Sequence, residues 1–210
     1  MPRTPVHPGR VSWSGENPFI YMKQPQGDDW AALCLFFRIN VSAHGIGHAF
    51  LVVRDPDGTG DSGGMVPANL CLTDNEPLAR YLLNDFVSHF GLFRNRPGLA
   101  KVQYLAMEGN DRSGDGLQQY TERGWGNGVY VAMTWSDLQT PFAAELDNAH
   151  TATGEHEMFS VFVEARGAEV TVNGEAVAGR LFPRDFLGAE RYSASLVFSE
   201  TWVEAPTGSE

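Results

Sequence analysis

Two histidines and one lysine are the side chains whose type and position could support acid–base or nucleophilic chemistry. His44 and His48 lie around a turn that contains two glycines, Ser42–Gly47. Imidazoles that converge on a turn act as a general acid or base, or ligate zinc. A zinc site needs a third ligand, and only loop aspartates are close in the sequence, so we expect no metal. We predict His44, His48 and Lys101 as candidate catalytic residues.

A second segment, Asp55–Thr59 (DPDGT), follows an apolar run and resembles the nucleophile motif of haloacid-dehalogenase-type phosphatases. That chemistry requires a parallel α/β sheet, and no crossover helix follows this segment before the next strand. The offsets of Asp55, Asp57 and Asp61 also match a calcium loop. Val66, however, occupies the position of the closing glutamate. We therefore predict a loop without catalytic or metal-binding function.

Composition restricts the class of protein. The chain has 210 residues, of which 42% are hydrophobic and 11% aromatic, enough for the core of a single domain. The formal net charge of −11 disfavours binding to nucleic acid or to an anionic membrane surface. Cys34 and Cys71 both lie in apolar runs, so we expect buried reduced thiols. The first residues have no apolar leader, and we predict a cytoplasmic protein.

Most of the chain has the pattern of β-strands. Apolar or alternating runs separated by turn residues predict strands at residues 30–39, 47–53, 65–73, 101–107, 117–122, 129–135, 158–165, 169–172 and 193–203. The first two strands are expected to form a hairpin. The strands before and after Asn127-Gly128 are expected to form another, because Asn-Gly favours a tight hairpin turn.

One segment, about residues 76–90, has the periodicity of an amphipathic helix. Its apolar side chains recur every four residues, at Leu78, Leu82, Phe86 and Phe90. Asp74 or Asn75 is expected to cap its start, with Pro77 in the first turn. Gly91 is expected to end it in the left-handed conformation.

The predicted fold class is mainly β (α+β), because many strands accompany a single helix. A sheet of this size leaves exposed edges unless it closes, so we predict an antiparallel β-barrel or cone-like sheet. The Pro- and Gly-rich start predicts an irregular N-terminal arm over residues 1–29. A single barrel-like domain is predicted over residues 30–205, followed by a flexible tail over residues 206–210.

The order of elements in residues 31–135 resembles the acetoacetate decarboxylase-like family. An apolar strand ends in Leu72–Pro77 (LTDNEP), and one helix, a glycine and Arg94–Pro97 (RNRP) follow. The Gly-x-Gly turn upstream and the string GNGVYVAMT downstream are also similar. The resemblance implies a closed apolar cavity within a β-barrel, a homo-oligomer and a lysine that forms a Schiff base with a keto acid.

The chain departs from this family at the position of the reactive lysine. Arg94 and Asn95 stand there, and neither is a usable amine nucleophile. The family's glutamate is also replaced, near Leu51. We therefore predict a small-molecule-binding protein without cofactor, in which Arg94, Phe93 and Asn95 contact the ligand. The alternative is an enzyme of altered chemistry, a lyase, dehydratase, isomerase or cyclase, that uses the histidines or Lys101.

Overall fold

The computed structural model describes residues 9–60 and 64–205. In these ranges the chain is mainly β, with one α-helix, α1 (Glu76–Asp85), and three short 3₁₀ helices (Val87–His89, Pro97–Lys101 and Asn148–His150). The strands are β1 (Val11–Glu16), β2 (Phe19–Lys23), β3 (Trp30–Ser42), β4 (Gly47–Val53), β5 (Asn69–Thr73), β6 (Gln103–Ala106), β7 (Gly109–Gly114), β8 (Gln119–Gly126), β9 (Val129–Leu138), β10 (Phe142–Leu146), β11 (His156–Val172), β12 (Glu175–Ala176), β13 (Pro183–Phe186), β14 (Ala189–Tyr192) and β15 (Ala194–Glu204).

Thirteen of these strands form one mixed sheet, and β13 and β14 form a separate two-stranded ribbon. The main path through the sheet is β6-β5-β4-β3-β1-β15-β11-β9-β8-β7, with β2, β10 and β12 paired beside it. The β5–β6 pair is parallel, because the chain returns to the same edge after α1. The predicted hairpins β3–β4 and β8–β9 are confirmed, and the second turns at Asn127 (φ 50°) and Gly128 (φ 72°).

Side chains alternate along each strand, so the sheet buries a separate apolar cluster on each face. We call the cluster that contains Leu33, Leu35 and Phe37 of β3 the outer core; α1 covers it with Leu78 and Leu82. These helix side chains are fully or almost fully buried. The outer core is therefore a layer between the sheet and the helical segment.

The opposite face of β3 contributes to a second cluster. We call it the inner core; it contains Cys34 and Phe36 together with Trp135 of β9 and Val163 of β11. Trp135 Nε1 also donates a hydrogen bond to the carbonyl oxygen of Phe19 at 2.9 Å. The inner core thus connects strands from the first and last parts of the chain.

The predicted helix begins where expected and ends early. Asn75 is the N-cap, and its side-chain oxygen accepts a hydrogen bond from Leu78 N at 3.1 Å. The helix ends at Asp85 because Phe86 leaves helical geometry (φ −126°, ψ −61°) and its buried ring packs against Trp13 at 5.7 Å. A 3₁₀ turn follows, and Gly91 does not end the helix in the left-handed conformation.

Asn75→Ala is expected to lower the free energy of unfolding by about 1–2 kcal/mol. The substitution removes the cap of α1 and also two hydrogen bonds from Asn75 Nδ2 to the carbonyl oxygens of His44 and Ile46, both 3.0 Å. Asn75→Asp retains the capping acceptor and loses only those two donors, so it is expected to cost less. Urea unfolding of the three proteins measures both values, and equal costs would contradict this division.

The irregular arm predicted over residues 1–29 is wrong for residues 11–23, which form the strands β1 and β2. β1 pairs with both β3 and β15 in the middle of the sheet, and β2 pairs with β3. Both strands are short, and Gly15 within β1 and Pro18 before β2 interrupt the run of buried side chains. The sequence pattern therefore does not predict strands here. The domain therefore begins before residue 30. The predicted tail over residues 206–210 lies outside the described residues.

Two further predictions concern strands and cysteines. The strands predicted at 158–165 and 169–172 are one continuous strand, β11, whose pairing with β15 shifts register between Phe159 and Val161. Cys34 and Cys71 are buried and free, as predicted, and burial raises the pKa of each thiol to about 12. In the described part of the chain, every helix is too short or too polar to serve as a membrane span.

Candidate functional site

The two predicted catalytic histidines do not converge on a cavity. His44 is exposed at the β3–β4 turn, where its ring packs against Tyr81 with centroids 4.3 Å apart. His48 is half-buried, and its Nδ1 lies 2.7 Å from Asp74 Oδ2. This hydrogen bond holds the pKa of Asp74 below its usual value, despite burial of the carboxyl group. The structure thus places the two imidazoles in separate local contacts.

The predicted lysine and ligand-binding residues also lie apart. Lys101 ends a 3₁₀ helix instead of lying on a strand, and its exposed Nζ donates to the carbonyl oxygen of Gly58. Arg94 and Asn95 are exposed, and Arg94 Nη2 donates to the carbonyl oxygen of His89 at 3.0 Å. Phe93 is fully buried in the outer core. None of these four residues is brought to a common site with the histidines.

The aspartates of the DPDGT segment have structural contacts. Asp55 accepts hydrogen bonds from the backbone nitrogens of Thr59 and Gly60, each at 3.0 Å. Asp57 pairs with Arg96 at 2.5 Å, and Asp61 lies outside the described residues. Among residues 9–60 and 64–205, no group of three or more His, Cys, Asp or Glu side chains is arranged to hold a metal ion.

A different place has the geometry of a ligand site. A cavity of about 180 Å³ lies on the outer face of the sheet, between β2, β11, β15 and the β13–β14 ribbon. Its aromatic walls are Phe19, Tyr21, Phe90, Phe162, Phe186 and Trp202, and its aliphatic walls include Leu92, Leu146 and Met158. A cavity of this size holds roughly one aromatic ring. We call it the Glu200 cavity, after the carboxyl group that lines it.

Glu200 forms the polar end of this cavity together with Asn17. Glu200 is 4% exposed, and its Oε1 accepts hydrogen bonds from Trp202 Nε1 at 2.6 Å and from Asn17 Nδ2 at 3.4 Å. Burial raises the pKa of Glu200 to about 7, because the two hydrogen bonds only partly offset the loss of water. Asn17 Oδ1 is buried and has no hydrogen-bond partner.

Arg184 supplies a positive charge to the same cavity. Its guanidinium carbon lies over the rings of Phe186, Phe19 and Tyr21, at 4.6, 5.4 and 5.5 Å from their centroids. Its Nε is buried without a hydrogen-bond partner, and no carboxylate of the described residues forms an ion pair with it. Burial accordingly lowers the pKa of Arg184 from its usual value.

Tyr21 lies in the electrostatic field of both groups. Burial raises the pKa of its hydroxyl, while the charge of Arg184 opposes and that of Glu200 reinforces this shift. The buried ring of Phe93 packs edge-on against Tyr21 at 5.7 Å. Phe93 therefore supports a wall of the Glu200 cavity from behind, although the cavity itself is lined by other residues.

A β-bulge decides that Glu200 faces the cavity. Val197 points to the outer core, and strict alternation would place Ser199 on that face next. Ser199 instead has a positive φ of 55°, where the register between β15 and β11 shifts. The extra residue turns Glu200 and Trp202 to the outer face. In the sequence, the one signal for this site is a carboxylate within an apolar strand.

Ser199→Gly is expected to raise the free energy of unfolding by about 0.5–1 kcal/mol, since glycine adopts positive φ without steric cost. Ser199 is exposed, so the change removes no buried contact. Thermal unfolding monitored by near-UV circular dichroism measures the effect. Ser199→Ala, which retains the steric cost, is the control and should match the native protein; a destabilised Ser199→Gly would argue against strain at this bulge.

Comparisons with protein-family models, with curated proteins and with solved structures found no match. The class of protein is therefore defined by the fold and the cavity alone: a mainly β chain with one helix and a small, aromatic-walled cavity on the outer face of its sheet.

Proposed function

We propose that this chain is a small-molecule-binding protein and that its ligand occupies the Glu200 cavity. The observation that carries the proposal is the combination of aromatic walls with buried polar groups that lack partners, Asn17 Oδ1 and Arg184 Nε. Buried polar atoms without hydrogen bonds destabilise a protein by roughly 1–3 kcal/mol each unless something satisfies them. A bound ligand with matching groups is a direct way to satisfy both.

The placement of the histidines favours binding over the predicted catalysis by those residues. Neither His44 nor His48 lines the Glu200 cavity, and both are engaged in local contacts. Neither lysine lines it: Lys101 donates to Gly58, and Lys23 pairs with Asp28 at 2.9 Å. A Schiff base with a ligand in this cavity therefore has no nearby amine.

One observation favours a second candidate, an enzyme of altered chemistry such as a dehydratase or isomerase. The pKa of Glu200, about 7, is suited to a general acid or base at neutral pH. In that case Glu200, and not the histidines or Lys101, is the catalytic residue. A ligand that is recovered chemically changed after incubation with the protein, and unchanged with Glu200→Gln, would favour this candidate.

Several finer predictions belong to the same proposal. Closure of the sheet into a barrel or cone is supported by the inner core and by Met107 and Glu108, which link the two end strands of the path, β6 and β7. Met107 N donates a hydrogen bond to Thr73 O of β5, and Glu108 N donates one to Trp125 O of β8, both at 2.8 Å. The similarity to acetoacetate decarboxylases, the homo-oligomer and the cytoplasmic location stay predictions. The ligand cavity that we propose lies on the outer face of the sheet rather than inside such a barrel.

The proposal is tested by blocking the cavity. Ala152 lines it and is half-buried, whereas Ala149 is exposed on the same connection and does not line it. We expect Ala152→Trp to raise the dissociation constants of single-ring ligands at least tenfold and Ala149→Trp to leave them unchanged. Ligand-observed NMR with a panel of single-ring compounds provides the measurement. Equal binding to both variants would show that the ligands bind elsewhere and would reject the proposal.

A further inference from the structure

The polar end of the Glu200 cavity offers acceptors. Both hydrogen bonds to the Glu200 carboxyl group end on Oε1. Asn17 uses its Nδ2 for one of them, which leaves Asn17 Oδ1 buried and unpartnered, on a residue that is only 4% exposed. A ligand group that satisfies these oxygens must donate hydrogen bonds, and an ammonium group also neutralises the carboxylate.

The Arg184 side of the cavity requires the opposite chemistry. Its neighbour in the ribbon, Arg191, pairs with Glu164 at 3.8 Å, whereas Arg184 has no ion pair with a described residue. The guanidinium of Arg184 lies over aromatic faces, which stabilise a cation without supplying hydrogen-bond acceptors. A half-buried guanidinium with an unpartnered Nε is suited to a carboxylate, which it binds through two parallel hydrogen bonds.

The two charges do not satisfy each other. Glu200 and Arg184 line the same cavity and form no ion pair, and both act on Tyr21, which lies in the field of each. A purely apolar ligand would exclude water from both charges and compensate neither, which is unfavourable. A ligand with a single charge would compensate only one of them.

We propose that the ligand is a small zwitterion, an amino acid or a related amino-carboxylate with an apolar side chain. Its ammonium group binds Asn17 Oδ1 and Glu200, its carboxylate binds Arg184, and its apolar body packs against the aromatic walls. This inference rests on the proposed function and defines its substrate class. It differs from a keto acid in requiring a hydrogen-bond donor at the Glu200 end.

The test compares ligands that share one body and differ in charge. In the first series, phenylalanine carries an amine and a carboxylate, 2-phenylethylamine only the amine, 3-phenylpropionate only the carboxylate, and ethylbenzene neither group. Leucine, isopentylamine, 4-methylpentanoate and isopentane form a second series, in the same order, with a smaller apolar body. Titrations by NMR at pH 8 give their dissociation constants with the full chain. We expect the zwitterion of at least one series to bind tenfold or more tightly than either singly charged analogue.

Two variants assign the charges. Arg184→Gln is expected to abolish the gain in affinity that the ligand's carboxylate confers and to retain the gain that its amine confers. Glu200→Gln is expected to abolish the gain from the amine and to retain the gain from the carboxylate. Arg191→Gln and Glu204→Gln are matched controls on the same ribbon and the same strand, and neither residue lines the cavity. Arg184→Lys retains the positive charge and should retain part of the carboxylate advantage, which keeps the test valid if Arg184→Gln unfolds.

The outcomes separate the two proposals. If the uncharged or singly charged compounds bind as well as the zwitterions, and Ala152→Trp blocks them, the zwitterion is rejected and small-molecule binding in the cavity stands. If Arg184→Gln and Arg191→Gln behave alike, the assignment of the carboxylate to Arg184 is rejected. If no compound of either series binds at millimolar concentration, both proposals fail.

Discussion

Glu122→Ala is expected to lower the free energy of unfolding by about 3–5 kcal/mol. Glu122 is fully buried on β8, and both of its carboxylate oxygens accept hydrogen bonds from Arg38 Nη2 on β3 at 2.8 Å. Tyr120 OH donates to the same carboxylate at 2.8 Å, and Arg38 also pairs with Glu16 of β1. Removing Glu122 leaves a largely buried guanidinium with only one of its two carboxylate partners, Glu16. Urea denaturation at pH 7 measures the loss.

A double variant shows whether the incompletely paired charge of Arg38 is the cause. Replacing both partners, in Arg38→Met with Glu122→Leu, removes the cation together with the buried carboxylate and leaves Glu16, which is only half-buried, without its partner. We expect this double variant to be less destabilised than Glu122→Ala, because two apolar side chains tolerate burial. Arg38→Met and Glu122→Leu are also measured singly, and if their two costs simply add in the double variant, the network contributes no specific coupling and the explanation is wrong.

The second large effect concerns pH and Glu200. The pKa of Glu200 is 4.5 in the unfolded chain and about 7 in the folded protein. Between these values the native state keeps a proton that the unfolded state has released. The free energy of unfolding therefore falls as pH rises from 4.5 to 7, by roughly 3 kcal/mol for this group. The stabilising contribution is fully present below pH 4.5 and is lost above pH 7.

Glu200→Gln is accordingly expected to be more stable than the native protein by about 3 kcal/mol at pH 8 and to match it near pH 4. The glutamine oxygen still accepts the hydrogen bond that Trp202 donates. The difference between the two unfolding curves, measured in urea from pH 4 to 8, isolates the titration of this one group. Glu204→Gln, at the end of the same strand, is the control, and a pH-independent difference for Glu200→Gln would contradict the prediction.

A stabilised Glu200→Gln that binds ligand less well would also have a functional meaning. It would show that the native protein retains a carboxylate whose burial is unfavourable, in the position where the proposed ammonium group binds. Such a conflict between stability and binding is common at functional sites. An equally stable variant would instead indicate that the cavity is well hydrated and that the carboxylate is not strained.

Local sequence patterns correctly predict those elements whose signal is contained in a few consecutive residues. The helix start at Asn75 and Pro77 depends on side chains within one turn, and the turn at Asn127-Gly128 depends on two residues that adopt positive φ. The hairpin of β3 and β4 follows from two apolar runs joined by a short turn. These elements need no distant contact to be recognised, although their lengths depend on packing.

The Glu200 cavity could not be recognised in this way, because its polar groups are distant in the chain. Asn17, Arg184 and Glu200 come from the first strand connection, the ribbon and the last strand. β1 and β2 are short strands whose stability depends on central positions in the sheet, so the local sequence around Asn17 predicts an irregular arm instead. Chemistry and proximity in the sequence single out His44 and His48, which the fold keeps away from this cavity.

From its sequence alone, this protein was determined to be a mainly β chain with one amphipathic helix and two buried thiols, because hydrophobic periodicity and capping residues act over a few positions. Which side chains meet was decided only by the tertiary structure. One residue with positive φ, Ser199, reverses the alternation of the last strand and turns a carboxylate toward the cavity. Strand order then brings Asn17 beside it, and no local pattern encodes the order in which strands pair.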